Sequence, residues 1–164
     1  MKVLVTGAAG FIGSHTCVTL LEKGYEIVAI DSYVNSNKKS LDRVIDIVKS
    51  DITNKNVDIK IINADIRDEG VLNKLFSDHQ RLDTPIAAVI HFAGLKSVKD
   101  SVLKPLDYWD GNLNTSIKLF NVMNKYKCRT IVFSSSATVY GLSNDKPIKE
   151  DSEIRPINPY GRTK

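Results

Sequence analysis

Lys2-Val3-Leu4-Val5-Thr6-Gly7-Ala8-Ala9-Gly10-Phe11-Ile12-Gly13-Ser14-His15 decides the fold. An apolar, β-branched run of this length reads as a strand buried on both faces. It passes through glycines spaced G-x-x-G-x-x-G into a segment with helical spacing from Ser14 to Lys23. Glycine at those positions permits the tight strand-to-helix turn, lets the backbone approach a pyrophosphate, and lets the helix pack on the strand. The unpaired N–H groups at the helix start then face the anion. Gly7, Gly10 and Gly13 are therefore candidate phosphate-binding residues.

The alternation continues along the chain. Glu26 to Asp31, Asp58 to Asn63, Ile86 to His91 and Thr130 to Ser134 are further strand-like runs, separated by helical segments at Leu41 to Ser50, Gly70 to Asp78 and Asp107 to Tyr126. In the last of these, Leu113, Ile117, Phe120 and Met123 recur every three or four residues and predict one buried apolar stripe. Strand and helix in regular alternation imply right-handed crossovers. The expected fold class is thus α/β, a doubly wound parallel sheet of the Rossmann-like, dinucleotide-binding kind, occupying residues 1–164 as one domain.

Asn158-Pro159 has the form of a helix start, cap and first turn. Only Tyr160 to Lys164 follow, so the fold is expected to be truncated before a substrate domain. Five helical residues do not sustain a helix alone. Tyr160 and Lys164 are accordingly expected to be loosely placed, with an apolar sheet face left exposed or used in association.

Composition narrows the class. The 164 residues carry a net charge of +4, but Lys38-Lys39 is the only adjacent basic pair and the rest are interleaved with acids. That pattern excludes a nucleic-acid stripe. Cys17 and Cys128 show no ligand or CxxC spacing, as suits reduced thiols in the cytoplasm, and no disulfide is expected. His15, His79 and His91 are far apart and form no metal-ligand set, so no metal is expected. His91 reads as a packed histidine at a strand end. No run approaches the length of a membrane span.

Two positions extend the dinucleotide reading. Asp31 ends the second strand 18 residues beyond Gly13, where a carboxylate can accept from the adenosine ribose hydroxyls. Its charge opposes a 2′-phosphate, so NAD is expected rather than NADP. Tyr160 and Lys164 stand four apart and share a helical face. They follow Ser134-Ser135-Ser136 at the end of the fifth strand, the rim where open parallel sheets bind ligands. A phenol in water titrates near about 10, so a tyrosine base needs positive charge beside it, which Lys164 and a nicotinamide ring supply. Ser136 is placed to hydrogen-bond a reacting hydroxyl and pass its proton to Tyr160.

Together these residues resemble the extended short-chain dehydrogenases. The likeness narrows to the UDP-glucose 4-epimerases at Gly13-Ser14-His15-Thr16, His91-Phe92-Ala93-Gly94-Leu95-Lys96, Ser134 through Gly141 and Asn158-Pro159-Tyr160-Gly161. The resemblance implies NAD contacts from Phe11 and Ile12 at the pyrophosphate. It places Asp31, Ser32, Asn35 and Ser36 at the ribose, Asp65 and Ile66 beside the adenine, and Phe92, Ala93, Gly94, Lys96 and Asn112 toward the nicotinamide. Lys96, Ser136 and Tyr160 would reach the substrate, with Tyr160 the base and Lys164 on the nicotinamide ribose.

The implied reaction is interconversion of UDP-glucose and UDP-galactose by a cytoplasmic homodimer of the full-length enzyme. Most of the sugar pocket would lie beyond Lys164, so the chain alone is expected not to turn over. Ala8-Ala9 and Lys96-Ser97-Val98-Lys99-Asp100 depart from the commoner family pattern, the second bearing on substrate preference. Alternative readings are another UDP-sugar 4-epimerase, acting for example on UDP-N-acetylhexosamines, a nucleotide-sugar 4,6-dehydratase, or a non-catalytic NAD-binding module. The dehydratases usually carry acids just after the central Ser or Thr, where this chain has Ala137-Thr138-Val139.

Overall fold

β1 (Lys2–Thr6) is the axis of the fold. It pairs in parallel with β2 (Glu26–Asp31) on one side and β4 (Ile86–His91) on the other. β3 (Ile59–Asn63) extends the sheet beyond β2, and β5 (Thr130–Phe133) beyond β4, giving the order β3-β2-β1-β4-β5. The sequence therefore winds first one way and then the other from β1, and the reversal point is where such sheets open a ligand crevice. The computed structural model describes residues 1–50, 57–142 and 147–164.

Successive strand residues point to opposite faces, and β1 feeds two cores. Leu4 joins Val28, Ile30, Leu72, Val89 and Leu119 on one face. Val3 and Val5 join Cys17, Leu21, Ile27 and Leu41 on the other. α1 (Phe11–Glu22) and α2 (Lys39–Ser50) supply the second core, and α3 (Glu69–Arg81) the first. Strands and these helices belong to one compact unit, Met1–Ala93 with Lys118–Phe133. Val132 and Phe133 are exposed on β5, as expected for an apolar sheet face.

Gly94–Ile117 and Ser134–Lys164 form a second unit. Its elements are α4 (Val98–Leu103), α5 (Pro105–Tyr108), a π-helix at Trp109–Asn114, the start of α6 (Thr115–Lys125), a 3-10 turn at Ala137–Tyr140 and α7 (Pro159–Arg162). The single helix read over Asp107 to Tyr126 is thus divided, and α4 was not foreseen. The expected stripe is also corrected. Leu113, Ile117 and Phe120 are 41%, 47% and 42% exposed, and only Met123, at 4%, is buried. The inward face instead carries Asn112, Thr115, Ser116, Leu119 and Val122. Three of those five are polar, so a search for apolar periodicity selects the wrong side.

Among the described residues no helix is long and apolar enough to cross a membrane.

Candidate active site

The glycine turn is built by contact. Gly7 adopts φ +65°, and a Cβ there would lie 2.6 Å from the backbone nitrogen of Ala93. A Cβ on Gly13 would strike the carbonyl oxygen of Gly7. Helix and strand are therefore as close as backbone allows. α1 begins at Phe11, three residues ahead of the sequence reading, because Gly10 serves as its cap. That cap has no side chain to satisfy the first N–H groups, and the first turn holds no acid. Such a helix start is electrically open to an anion. Phe11 and Ile12 are 77% and 59% exposed beside it.

Asp31 is buried at the end of β2 and organises this turn. Its Oδ2 accepts from the Ala9 backbone N–H at 2.9 Å, while Oδ1 accepts from Tyr33 N–H and the Ser36 hydroxyl, each at 2.8 Å. A carboxylate offers roughly four acceptor sites, so about one remains for a ribose hydroxyl. Ser32 and Asn35 are exposed in the same loop. Asp65 pairs with the Arg67 guanidinium at 2.7 Å, and the Ile66 side chain is buried in the first core. Any adenine contact by Ile66 must therefore come from its backbone.

Thr6 is a member of this site that the sequence reading missed. Its hydroxyl accepts from Ala93 N–H at 3.3 Å and meets His91 Nδ1 at 2.7 Å. It so fixes the turn after β4, where Phe92 N–H donates to Thr6 O at 3.1 Å. His91 is the packed strand-end histidine expected, buried and tilted against Phe133 at 5.5 Å.

Ser136, Tyr160 and Lys164 all lie in the second unit. Ser136 caps the 3-10 turn, its Oγ accepting from Thr138 N–H at 3.3 Å and from Thr138 Oγ1–H at 2.9 Å. The Ser136 hydrogen is left to donate elsewhere. Lys164 donates its ammonium to Ser134 O at 2.9 Å, and burial pulls its pKa below the ordinary lysine value. Tyr160 sits edge-on to Tyr108 with centroids 6.3 Å apart. Asn158 Oδ1 caps α7 by accepting from Gly161 N–H at 2.8 Å.

The expectation that Tyr160 and Lys164 would be loosely placed is thus corrected. Four-residue α7 is held by side-chain hydrogen bonds from outside itself, so isolated-helix stability is not the controlling quantity. Lys96 and Gly94 lie in this unit, Lys96 exposed and Gly94 partly buried, whereas Phe92 and Ala93 close the first. Asn112 is buried with its amide engaged by protein. The arrangement offers a hydroxyl donor, a phenol and an ammonium, a set fit for moving a proton at an alcohol or carbonyl oxygen.

A family described as GDP-mannose 4,6 dehydratase matches residues 4–164. The chain belongs to the GDP-mannose 4,6 dehydratase family. Among its relatives in that family, the UDP-glucose 4-epimerase of Bacillus subtilis is 47% identical over 100% of this chain and 45% of its own length. A bifunctional UDP-glucose and UDP-xylose 4-epimerase of Arabidopsis thaliana is 48% identical over 99% of this chain and 44% of its own. The UDP-glucose 4-epimerase of Bifidobacterium longum, solved with NAD+ and UDP, superposes with a TM-score of 0.88 at 43% identity, covering 99% of this chain and 45% of that one. The chain therefore spans under half the length of these relatives.

In this member of the GDP-mannose 4,6 dehydratase family, the two serine neighbours of Ser136 divide their work. Ser134 lends its carbonyl to Lys164, and the Ser135 hydroxyl donates to Lys164 O at 3.4 Å. Thr138 and Tyr108 are the site residues with no warning in the sequence, since their roles arise from contacts rather than from a motif.

Proposed function

We propose that the full-length protein is an NAD-dependent UDP-sugar 4-epimerase that interconverts UDP-glucose and UDP-galactose in galactose metabolism. The carrying observation is Ser136 with its hydrogen free to donate, in the same unit as Tyr160 and Lys164, and with Thr138 rather than an acid beside it. Elimination of water, the dehydratase step, needs an acid to protonate the leaving hydroxyl. The names of the relatives given above support the same choice.

The residues fit NAD. The uncapped start of α1 suits a diphosphate, Gly7 and Gly13 leave no room for side chains in the turn, and Asp31 keeps an acceptor for the ribose while repelling a 2′-phosphate. Bound NAD supplies a reversible hydride acceptor at the sugar C4. The chain's own residues manage the proton and the geometry. Tyr160 takes the proton of the 4-hydroxyl and later returns it, and Ser136 donates to the same oxygen. Net oxidation is zero, so nothing but the configuration at C4 changes.

The test uses the full-length protein with UDP-galactose deuterated at C4. Retention of the label in UDP-glucose, without added cofactor, is expected. Loss of the label into free cofactor, or appearance of a 4-keto-6-deoxy sugar, overturns the assignment.

A cytoplasmic homodimer is the assembly that suits this reading. Trp109, Leu113 and Ile117 expose apolar side chains four residues apart along one helical run, the kind of surface that protein contacts cover. Sedimentation of a Leu113→Glu variant at half the wild-type mass is the expected result.

A further inference from the structure

Tyr33 stands at φ +57°, a left-handed backbone that a residue with a Cβ seldom takes. Among the described non-glycine residues Asp83 and Lys127 share that conformation, but both follow the ends of helices, α3 and α6, where it is usual. Tyr33 follows a strand instead, just past Asp31. Its hydroxyl is buried and finds no hydrogen-bond partner among the described residues. Both features lower stability. A residue that breaks two local rules at one point marks a place where geometry outweighs stability.

The left-handed turn sends the backbone and the side chain of Tyr33 to different tasks. Its N–H donates to Asp31 Oδ1 at 2.8 Å, the oxygen that also accepts from the Ser36 hydroxyl at 2.8 Å. Its ring packs against the second core, the layer that holds Ala29, Leu41 and Val44. The flanking side chains do not follow it inward, since Ser32 is exposed and Val34 is 74% exposed. The ring is thus the apolar tie between this loop and the sheet, and the same residue supplies a hydrogen bond that orients the carboxylate. The phenol oxygen serves neither task, because Asp31 is bound through the Tyr33 backbone.

We infer that the Tyr33 ring is a prop that holds the 32–36 loop closed around Asp31 before the cofactor arrives, making Tyr33 a positioning residue for the adenosine ribose. The inference rests on the NAD reading, because it is there that Asp31 has a ribose to meet. A loop ordered in advance binds more tightly by the inverse of the fraction of time it would otherwise be formed. With the ring gone and the loop formed about a tenth of the time, the apparent Kd rises about tenfold.

The experiment compares Tyr33→Gly, Tyr33→Asn and Tyr33→Phe in the full-length protein. Glycine and asparagine both accept the left-handed backbone and keep the N–H, so they delete the ring. Each is expected to raise the calorimetric Kd for NAD by about tenfold, with kcat at saturating NAD within about twofold. Tyr33→Phe keeps the ring and drops the unpartnered hydroxyl. Its Kd should stay within about twofold of wild type while the urea midpoint rises by about 0.5 M. A readout that needs no turnover is hydrogen exchange across residues 32–36, followed by mass spectrometry. Without NAD the loop should be protected in wild type and Tyr33→Phe and close to unprotected in the two variants that lack the ring, where saturation with NAD should slow exchange again.

Wild-type affinity in Tyr33→Gly would show that the hydrogen bonds to Asp31 suffice, and would overturn the inference. Binding weakened as much in Tyr33→Phe as in Tyr33→Gly would make the hydroxyl a ligand contact, and a loop that stays protected without the ring would remove the prop. Either result overturns it too. If Tyr33→Gly does not fold, Tyr33→Asn against Tyr33→Phe decides alone. A wild-type protein that takes up no NAD while the loop opens in Tyr33→Gly would sink the cofactor reading and leave the prop standing.

Discussion

The two units place their functional groups by different means. In the first, the glycine turn and Asp31 rest on a sheet whose cores are aliphatic, with Leu4, Val5, Ala29, Ile30 and Val89 all fully buried. In the second, the buried ones among the described residues are Ser101, Tyr108, Asn112, Thr115, Ser116, Gly161 and Thr163. Only Tyr108 among them has a large apolar side chain. Apolar burial is non-directional, so the first unit tolerates error in detail and is stable in bulk. Hydrogen bonds are directional and modest in net energy, so the second unit holds a defined geometry at little net stability. A cofactor-binding platform suits the first and a proton-handling pair the second.

The sharpest break of this contrast is at Gly7. Gly7→Val would put a branched side chain at positive φ against the Ala93 backbone. The expected loss is about 4 kcal/mol or more, from backbone strain plus overpacking. Urea unfolding measures it, and a loss under about 1 kcal/mol would show that the turn is not closely packed.

Asp31→Asn comes next. It removes the charge that gathers Ala9, Tyr33 and Ser36 around one carboxylate. A loss of about 2 kcal/mol in NAD affinity is expected, roughly thirtyfold in Kd, with the fold intact. Calorimetric titration with NAD checks this, and wild-type affinity would mean that the loop is organised by something other than Asp31.

Thr138→Val sharpens the second half of the comparison. It deletes the hydroxyl that donates to Ser136. About 1 kcal/mol, or several-fold in kcat, is expected with little change in melting temperature, since one partly buried hydrogen bond is lost. An equal fall in stability and activity would mean that Thr138 acts through folding alone.

The smallest effect is on pH dependence, and it has the same sign in the two units, stability rising with pH through each group's own range. His79 is buried near Lys2, with Nδ1 3.4 Å from the ammonium and Nε2 without a partner. Burial, with Lys2 and Lys60 adding to it and Asp78 and Glu26 opposing, holds its pKa below the usual 6.5. The unfolded chain then binds the proton first, so this stability is complete above about 6.5 and declines as pH falls toward the folded midpoint. Lys164 is also held low by burial. Its desolvation cost is full at neutral pH and is relieved as pH rises toward the ordinary lysine value. Thermal midpoints against pH for wild type and His79→Gln test the first claim. The variant should lose the slope just below pH 6.5, and curves that stay parallel would refute it.

Much of the first unit was legible in the sequence. Five apolar runs became five parallel strands, Gly7, Gly10 and Gly13 formed the turn, and Asp31 closed β2 as read. Each signal there was local: a run of apolar residues, a glycine spacing, a charge at a strand end. Ser136, Tyr160 and Lys164 were singled out through a motif and its position along the chain, but how they are held was not legible.

The sequence by itself determined where strands, turns and reactive side chain types occur, because propensity and periodicity act over a few neighbouring residues. Only the tertiary structure decided that Asn112 donates to Thr163, that Ser136 keeps its hydrogen, and that Leu113, Ile117 and Phe120 face outward. Those outcomes depend on which polar groups meet across 51 residues of chain in the case of Asn112 and Thr163. A hydrogen bond requires both partners in place, and no local pattern records the distant one.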